Sequence, residues 1–490
     1  MTWSARVLDG LRRDPDAPAI ISVAGNAVEE WTRSDLLHMA MGAKDLLDAH
    51  DVAQDEYVPA LMTTRPTSVA MLLGGALSRR PLAPLGPKMT ERELLACIER
   101  LDGGLLLAEP EWADKAAGLA ARTGRRVAIV DRLEPVAGHH DSIPDPHGVA
   151  FMMHTSGTTG VPKQIPVRES ALARRAEVNG ALVGLEPGAR LVIAGLFHHV
   201  GGLGNIAVSL ANDAAMVLFP SFSVPAWRSL EAVAPTHTIT VPSVIEMLLS
   251  ADALNLPSMK VFCYGGSPIH PDTMRRIQDV MPDVDLVELF GQTEGSPLTV
   301  LTPDDHRAAV AGREELLKSV GRAAPGVELR IHDPDPDGVG EVWARCGHSF
   351  LVDDEGWQHT GDIGYLVDDY LYLAGRKGDK IIRGGENVFP LEVEQVLEGH
   401  PGVAEAAVVG VPDQRLGETI RAYIVAADQA SPPDPVELRV HCRERLAGFK
   451  VPTQWELAES LPRNAVGKIL REELVSSDDH KLADHGGPAA

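Results

Sequence analysis

His154-Thr155-Ser156-Gly157-Thr158-Thr159-Gly160-Val161-Pro162-Lys163 is the stretch from which the organisation of this chain is read. It follows a short apolar run at 149–153 that has the length and composition of a buried strand. Thr155, Ser156, Thr158 and Thr159 alternate with Gly157 and Gly160, and Lys163 closes the loop. Glycines let backbone N–H groups approach an anion, hydroxyls add donors, and the lysine adds charge. That combination suits a polyphosphate. The spacing is not that of a P-loop, which needs Gly-Lys-Ser/Thr running straight into a helix; here Pro162 precedes the lysine. A plain surface loop shares the composition, but a strand feeding into it argues for a ligand.

With 490 residues the chain is too long for one simple core, and two or three domains are expected. Hydrophobic residues at 44% and charged residues at 23% are ordinary for a soluble globular protein. Acidic residues outnumber basic ones 69 to 45, a formal net charge of −24. Such a field repels nucleic acid and anionic membrane, so neither is expected as a partner. An anionic substrate must then be held by a local cation such as Lys163. Cys97, Cys263, Cys346 and Cys442 are far apart and form no Cys-x-x-Cys pair, which argues against a disulfide framework or zinc site. The first residues lack an apolar signal core, and no run reaches membrane-spanning length. A cytoplasmic protein is the expectation.

Apolar runs and helical periodicity alternate along the first two thirds of the chain. Strands are expected at 19–23, 57–62, 191–196, 215–219, 238–241, 260–264 and 285–290. Helices are expected at 34–50, 67–79, 170–183, 241–250 and 271–281, with Ser34 and Thr67 near the caps of the first two. Alternating strand and helix implies α/β architecture, mainly parallel sheets flanked by helices, with ligands at the carboxyl ends of strands. After Ser319 the texture becomes a smaller β-rich unit, with strands at 327–332 and 340–345. From 378 to 476 a compact α+β domain is expected, with helices at 390–400 and 435–446 and strands at 404–410 and 420–426. The expected domains are 1–377 and 378–476, followed by a disordered tail at 477–490.

Further segments carry candidate chemistry. Glu288-Leu289-Phe290-Gly291-Gln292-Thr293-Glu294 ends a strand and offers an aromatic face, a hydroxyl and a carboxylate, suited to an adenine, a phosphate and magnesium. The same Thr-Glu pair also suits a helix start. Asp362, in Trp357-Gln358-His359-Thr360-Gly361-Asp362, is a carboxylate able to accept two ribose hydroxyls, or simply a turn residue. Arg376 lies in a glycine-rich charged stretch that a solvated linker would also display, and Lys468 lies in a loop ahead of the last helix. His198-His199 lacks a third residue spaced to complete a metal site, and the dinucleotide-like pattern at 202–207 lacks its later acidic partner.

Taken together, these segments resemble the adenylate-forming superfamily of acyl-CoA synthetases, peptide-synthetase adenylation domains and luciferases, over nearly the whole chain. The stretch 155–163 is similar to its phosphate loop and 290–294 to its aromatic-Gly-x-Thr-Glu motif. Asp362 falls in its Thr-Gly-Asp motif, Arg376 in its Gly-Arg motif, and Lys468 in its C-terminal Pro-x-x-x-x-Gly-Lys motif. The resemblance implies a large N-terminal domain and a mobile C-terminal lid. It also implies an enzyme, an AMP-forming acid–thiol ligase using ATP and Mg2+, with CoA as co-substrate. An acid oxygen attacks the α-phosphorus of ATP, an acyl-adenylate forms and pyrophosphate leaves.

On that resemblance Lys468, Thr293, Glu294 and His198 are the catalytic candidates, and Glu294 holds the metal. Thr155, Ser156, Gly157, Thr158, Thr159, Gly160 and Lys163 grip phosphates. Gly266, Ser267, Pro268 and Phe290 frame adenine, while Asp362 and Arg376 fix the ribose. His198, Gly201, Gly202, Val241, Tyr264, Gly265 and Gly291 line the acid pocket, and Gly384 with Gly385 forms the loop beside the acceptor. Gly378 aligns with the hinge, a position commonly Asp or Lys in the family; glycine is flexible enough to serve. Thr453 stands where many CoA ligases carry a basic residue, so a carrier-protein thiol or a non-thiol acceptor stays open beside CoA. His198 replaces the Asp that pairs an amino-acid ammonium, which disfavours α-amino acids. A small carboxylic acid of aryl or aryl-acrylic type is the first expectation, and a medium-chain fatty acid the second. A non-catalytic nucleotide-binding homologue is the reading from a different class; Lys468 and Glu294 speak against it. A nicotinamide dehydrogenase is another rival, and would need no ATP.

Overall fold

The computed structural model describes residues 1–25, 27–137, 145–155, 162–219, 221–266, 269, 271–463 and 469–475. Two compact units are present. The first comprises Met1–Pro268, Asp272–Glu328 and Ala344–Gln358; the second comprises Ile269–Pro271, Leu329–Trp343 and His359–Ala490.

The first unit contains two sheets. One runs Arg126–Ile129, Leu105–Ala108, Val58–Leu61, Leu82–Leu85, Val149–Thr155 and Lys163–Arg168 in spatial order. All its neighbours are parallel except the last pair, which is antiparallel. Its inner strands read Val-Pro-Ala-Leu, Leu-Ala-Pro-Leu and Leu-Leu-Leu-Ala and are buried throughout, the pattern of parallel strands covered on both faces. The other sheet runs Arg322–Ala323, Gly295–Leu301, Asp285–Gln292, Val261–Gly265, His237–Thr240, Arg190–Ile193, Ala215–Leu218, Pro18–Ala24 and Ala27–Thr32. It is parallel from Asp285–Gln292 to Pro18–Ala24 and antiparallel at both ends. Helix Pro66–Leu77 is buried from Ser68 onward, consistent with its nearly uninterrupted apolar sequence. One apolar cluster joins this helix (Val69, Leu72) to side chains of both sheets (Val58, Leu105, Ile20, Leu191).

Most expected elements form within a residue or two of their expected bounds; strand Arg190–Ile193 and helix Pro435–Arg443 end three residues early, strand Val403–Asp413 ends three residues late, strand Gly417–Ala426 starts three residues early, and the first two helix caps differ. Thr32, not Ser34, caps Arg33–Ala49, because Thr32 and Asp35 bond reciprocally as a capping box. Arg65 precedes Pro66–Leu77, whose start is set by the fixed φ of Pro66 at the first helical position rather than by Thr67.

Strands Glu328–His332, Gly340–Arg345, Gln358–Val367 and Tyr370–Arg376, which belong to the second unit but for Glu328, Ala344, Arg345 and Gln358, lie side by side, as the β-rich texture suggests. A separate sheet runs Glu386–Val388, Ile381–Arg383, Gly417–Ala426 and Val403–Asp413, with Gln454–Leu457 added in parallel to Gly417–Ala426. Helices Pro390–Glu398 and Pro435–Arg443 cover it through Val393, Leu397, Leu438 and Cys442 packed on Val408 and Ile420. All four cysteines are free thiols. Among the described residues, no helix is long and apolar enough to cross a membrane.

Two strands that carry candidate site residues meet at Gly265, which registers with Leu289. A methyl group at Gly265 would overlap the Leu289 carbonyl oxygen, a backbone atom that cannot swing aside. Gly265→Ala is expected to lower unfolding stability by about 1–3 kcal/mol, the usual cost of overpacking, measured by urea denaturation.

Candidate active site

Strand Val149–Thr155 and strand Lys163–Arg168 pair in antiparallel fashion, with Thr155 opposite Lys163. The loop rich in Gly, Ser and Thr therefore joins two strands, and its lysine opens a strand rather than a helix. Ser156, Gly157, Thr158, Thr159 and Gly160 lie outside the described residues. In the other sheet, Asp285–Gln292 and Gly295–Leu301 form a second hairpin, with Gln292 opposite Gly295. Thr293 and Glu294 are its turn, so the helix-start reading of that pair does not hold.

The two hairpins converge. Lys163 Nζ lies 3.3 Å from Glu294 Oε1 across a sequence separation of 131 residues. Lys163 is half exposed at 52% and Glu294 more sheltered at 18%. An ion pair this exposed contributes about 0–1 kcal/mol, so its importance is positional. The turn itself is held by its neighbours. Phe350 N–H donates to the Glu294 carbonyl at 2.6 Å. Ser349 Oγ donates to Gln358 Oε1 at 2.7 Å, and Gln358 packs against Gly295 so closely that a methyl there would collide with it. Thr293 is buried.

Tyr264, Gly265 and Gly266 end strand Val261–Gly265, between His237–Thr240 and Asp285–Gln292. Gly266 has φ 85°, a conformation open chiefly to glycine, and a methyl there would stand 3.6 Å from Val241. Gly291 backs onto Ser296. Phe290 lies on its strand opposite Thr299. Ser267 and Pro268 lie outside the described residues.

The loop after Arg190–Ile193 carries His198 and His199 into a single π-helical turn, Val200–Gly204, which contains Gly201 and Gly202. Helix Asn205–Ala211 follows, so the dinucleotide-like pattern at 202–207 does not connect a strand directly to a helix. Gly201 N–H donates to His199 Nδ1 at 3.3 Å, which leaves the proton of that neutral ring on Nε2. Burial, with neighbouring His199, pushes His198 down to about 4, so it is a neutral donor or acceptor at physiological pH. Its ring packs on Gly86. Among the described residues, no group of three or more His, Cys, Asp or Glu gathers as a metal-binding cluster.

Tyr264 is fully buried, and its hydroxyl lies 2.8 Å from His306 Nε2 and 3.3 Å from Glu288 Oε2. His306 Nδ1 lies 2.8 Å from the Thr302 carbonyl, which can only accept, so Nδ1 carries the proton and Nε2 accepts from Tyr264. Glu288 then completes the chain as a protonated acid donating to the tyrosine oxygen. Burial supports this arrangement, raising Glu288 to about 8 and lowering His306 to about 4. The hydroxyl of Tyr264, a residue expected to line the acid pocket, is thus engaged by Glu288 and His306. Sequence reading assigned these two no role. The available signal for Glu288 was a charged residue inside an apolar strand; His306 offered none.

In the second unit, Asp362 on strand Gln358–Val367 registers with Arg376 at the end of Tyr370–Arg376. Arg376 Nε donates to Asp362 Oδ1 at 2.8 Å; the carboxylate is buried while the guanidinium is half exposed. Gly384 and Gly385 form the turn between Ile381–Arg383 and Glu386–Val388, with φ 62° and 90°. Gly378 lies in the 3₁₀ turn Lys377–Asp379, with open space where a side chain would stand. Lys468 lies outside the described residues; Arg463 and Ile469, on either side of 464–468, form an antiparallel bridge.

Glu288 gives a pH test. Its folded pKa is raised above the ordinary carboxylate value, so the folded state holds the extra proton between about pH 4.5 and 8. Stability associated with Glu288 is full below that window and is lost as pH rises through it, with a slope of up to about 1.4 kcal/mol per pH unit. Urea denaturation at pH 5 and pH 8 is expected to give a smaller difference for Glu288→Gln than for the unmutated chain.

The family model for AMP-binding enzymes matches residues 8–350, and that for the AMP-binding enzyme C-terminal domain matches residues 392–468. A fatty acid–[acyl-carrier-protein] ligase, ScoC of Streptomyces coeruleorubidus, is 30% identical over 94% of each chain. The amide bond synthetase McbA of Marinactinospora thermotolerans superposes with a TM-score of 0.86 at 28% identity, covering 97% of this chain and 99% of that one. The o-succinylbenzoate coenzyme A synthetase MenE of Bacillus subtilis, in complex with ATP and magnesium ion, gives 0.83 at 26% identity over 96% and 98%. The chain belongs to the AMP-binding enzyme family of adenylate-forming ligases.

Proposed function

We propose that this chain transfers the AMP moiety of ATP to a small carboxylic acid, releasing pyrophosphate, and then passes the acyl group to an acceptor, releasing AMP. The observation that carries this reading is the approach of Lys163 to Glu294 at 3.3 Å, which brings the hairpin read as gripping phosphates to the one read as holding a metal. A half-exposed ammonium beside a sheltered carboxylate can exchange partners, the lysine for a phosphate and the carboxylate for a cation. The oxygen donors fit magnesium, which typically takes one or two protein carboxylates and completes its shell with substrate phosphates and water. Glu294 would hold it, with the Thr293 hydroxyl beside it, and the ion would supply charge neutralisation at the phosphates.

The remaining residues take roles from the family resemblance. Residues 155–160 and Lys163 would hold the β and γ phosphates. Gly266, Ser267, Pro268 and Phe290 would frame adenine, while Asp362, fixed by Arg376, would take the ribose hydroxyls. Neutral His198 would hydrogen-bond the acid without competing for its charge, and Gly201, Gly202, Val241, Gly265 and Gly291 leave room around it. Residues 378–476 would act as a lid turning at Gly378, delivering first Lys468 and then the Gly384–Gly385 turn.

An aryl or aryl-acrylic acid is the favoured substrate and a medium-chain fatty acid the alternative. CoA is the favoured acceptor. ScoC is named for an acyl-carrier protein and McbA for amide bonds, and with Thr453 where many CoA ligases carry a basic residue both acceptor types stay in view. A screen of pyrophosphate release over aryl and alkyl acids, with and without CoA, tests the proposal; no ATP-dependent release with any acid would refute it. Lys468→Ala is expected to lower that release by roughly 10²-fold or more, the cost of losing a preorganised charge donor.

A further inference from the structure

Arg175, on helix Glu169–Leu182, is a buried cation without a counter-ion. It is 5% exposed, and burial alone lowers its pKa to about 10. Its Nε has no hydrogen-bond partner, and no carboxylate pairs with its guanidinium, among the described residues. Other sheltered arginines here have partners: buried Arg33 donates to the carbonyls of Gly10 at 3.3 Å and Asp213 at 2.8 Å, and part-buried Arg471 makes two contacts to Glu394 at 2.7 and 2.8 Å. An uncompensated guanidinium is among the costlier groups to bury, so its persistence points to something that completes it.

Its surroundings say where that partner would sit. The guanidinium faces Gly204, where a methyl group would stand 3.0 Å from Nη2 and 3.2 Å from Val200 Cγ2. Gly204 closes the π-helical turn that holds Gly201 and Gly202. On another side is Phe350, whose ring centre is 5.9 Å from Arg175 Cζ and whose amide bonds the Glu294 carbonyl. His348 completes the setting; burial lowers its pKa, Arg175 adds to that effect, and it lies 2.7 Å from the Pro297 carbonyl. One turn along the same helix, Asn179 donates to the Ser296 carbonyl at 3.3 Å, and Ser296 backs onto Gly291. The cation thus lies against the elements that would line the acid pocket.

We infer that Arg175 is an anion-binding subsite of that pocket and pairs with a second anionic group, carboxylate or sulfonate, on the acid. The inference rests on the acid-activation reading above. The reacting carboxylate is a poor candidate for this partner, because a fixed guanidinium would hold the lone pairs with which it must attack phosphorus. A second charge has no such conflict, and a forked guanidinium suits it geometrically.

The test is pyrophosphate release with acids matched in length and differing in the distal group: 3-phenylpropanoate against 3-(4-carboxyphenyl)propanoate, and octanoate against octanedioate. The unmutated chain is expected to favour the dianionic member of at least one pair by about 10²-fold in kcat/KM, as desolvated charge pairs discriminate. Arg175→Met is expected to bring that ratio near one and Arg175→Lys to keep part of it, with folding checked by thermal unfolding. Should Arg175→Met not fold, Arg175→Gln is read in its place. Release without any preference in the unmutated chain, or a preference that survives removal of the charge, overturns this inference alone. No release with any acid overturns the acid-activation reading and this inference with it.

Discussion

Opposite charges brought together by two hairpins define the centre of the first unit. Lys163 and Glu294 belong to different hairpins: Lys163 opens a strand paired with Val149–Thr155, and Glu294 lies in the turn between Asp285–Gln292 and Gly295–Leu301. The pair has little stabilising energy of its own. It marks where the ends of two parallel sheets converge, the place where open α/β folds collect ligands. The apolar cluster shared by the two sheets and helix Pro66–Leu77 keeps that meeting point in place.

Around this centre the protein uses close backbone contacts more than bulky side chains. Gly265 against Leu289, Gly291 against Ser296 and Gly295 against Gln358 bring neighbouring segments closer than a Cβ would permit. The polar groups beneath are committed. Tyr264, His306 and Glu288 form a chain in which every proton has a place, provided that Glu288 is an acid rather than a carboxylate. Such a network gives the strand that ends in Gly265 and Gly266 a single geometry.

The sequence was legible where its signals are local. Strand and helix periodicity, the switch to a β-rich texture and the glycine-hydroxyl-lysine loop each lie within a few residues. The caps failed for a local reason too, since the Thr32–Asp35 exchange and Pro66 outweighed the nearer Ser34 and Thr67. The contact between Lys163 and Glu294 was not legible from spacing, because it depends on the order of strands in two sheets. His306 and Arg175 were invisible for a stronger reason: one looks like any surface histidine, the other like any helix-face arginine. Only burial distinguishes them.

The antiparallel pairing of Thr155 with Lys163 has one more consequence. In nucleotide folds where the glycine loop runs into a helix, aligned peptide dipoles supply fixed positive potential that travels with the backbone. Here a strand follows the loop, and strands carry almost no net dipole. Under the proposed function, attraction for a polyphosphate would come from the Lys163 ammonium, the loop's own N–H and hydroxyl donors and a metal ion, with no helix terminus to add to them. Such a grip would rest in part on an exposed charge, and so would be more easily screened by salt.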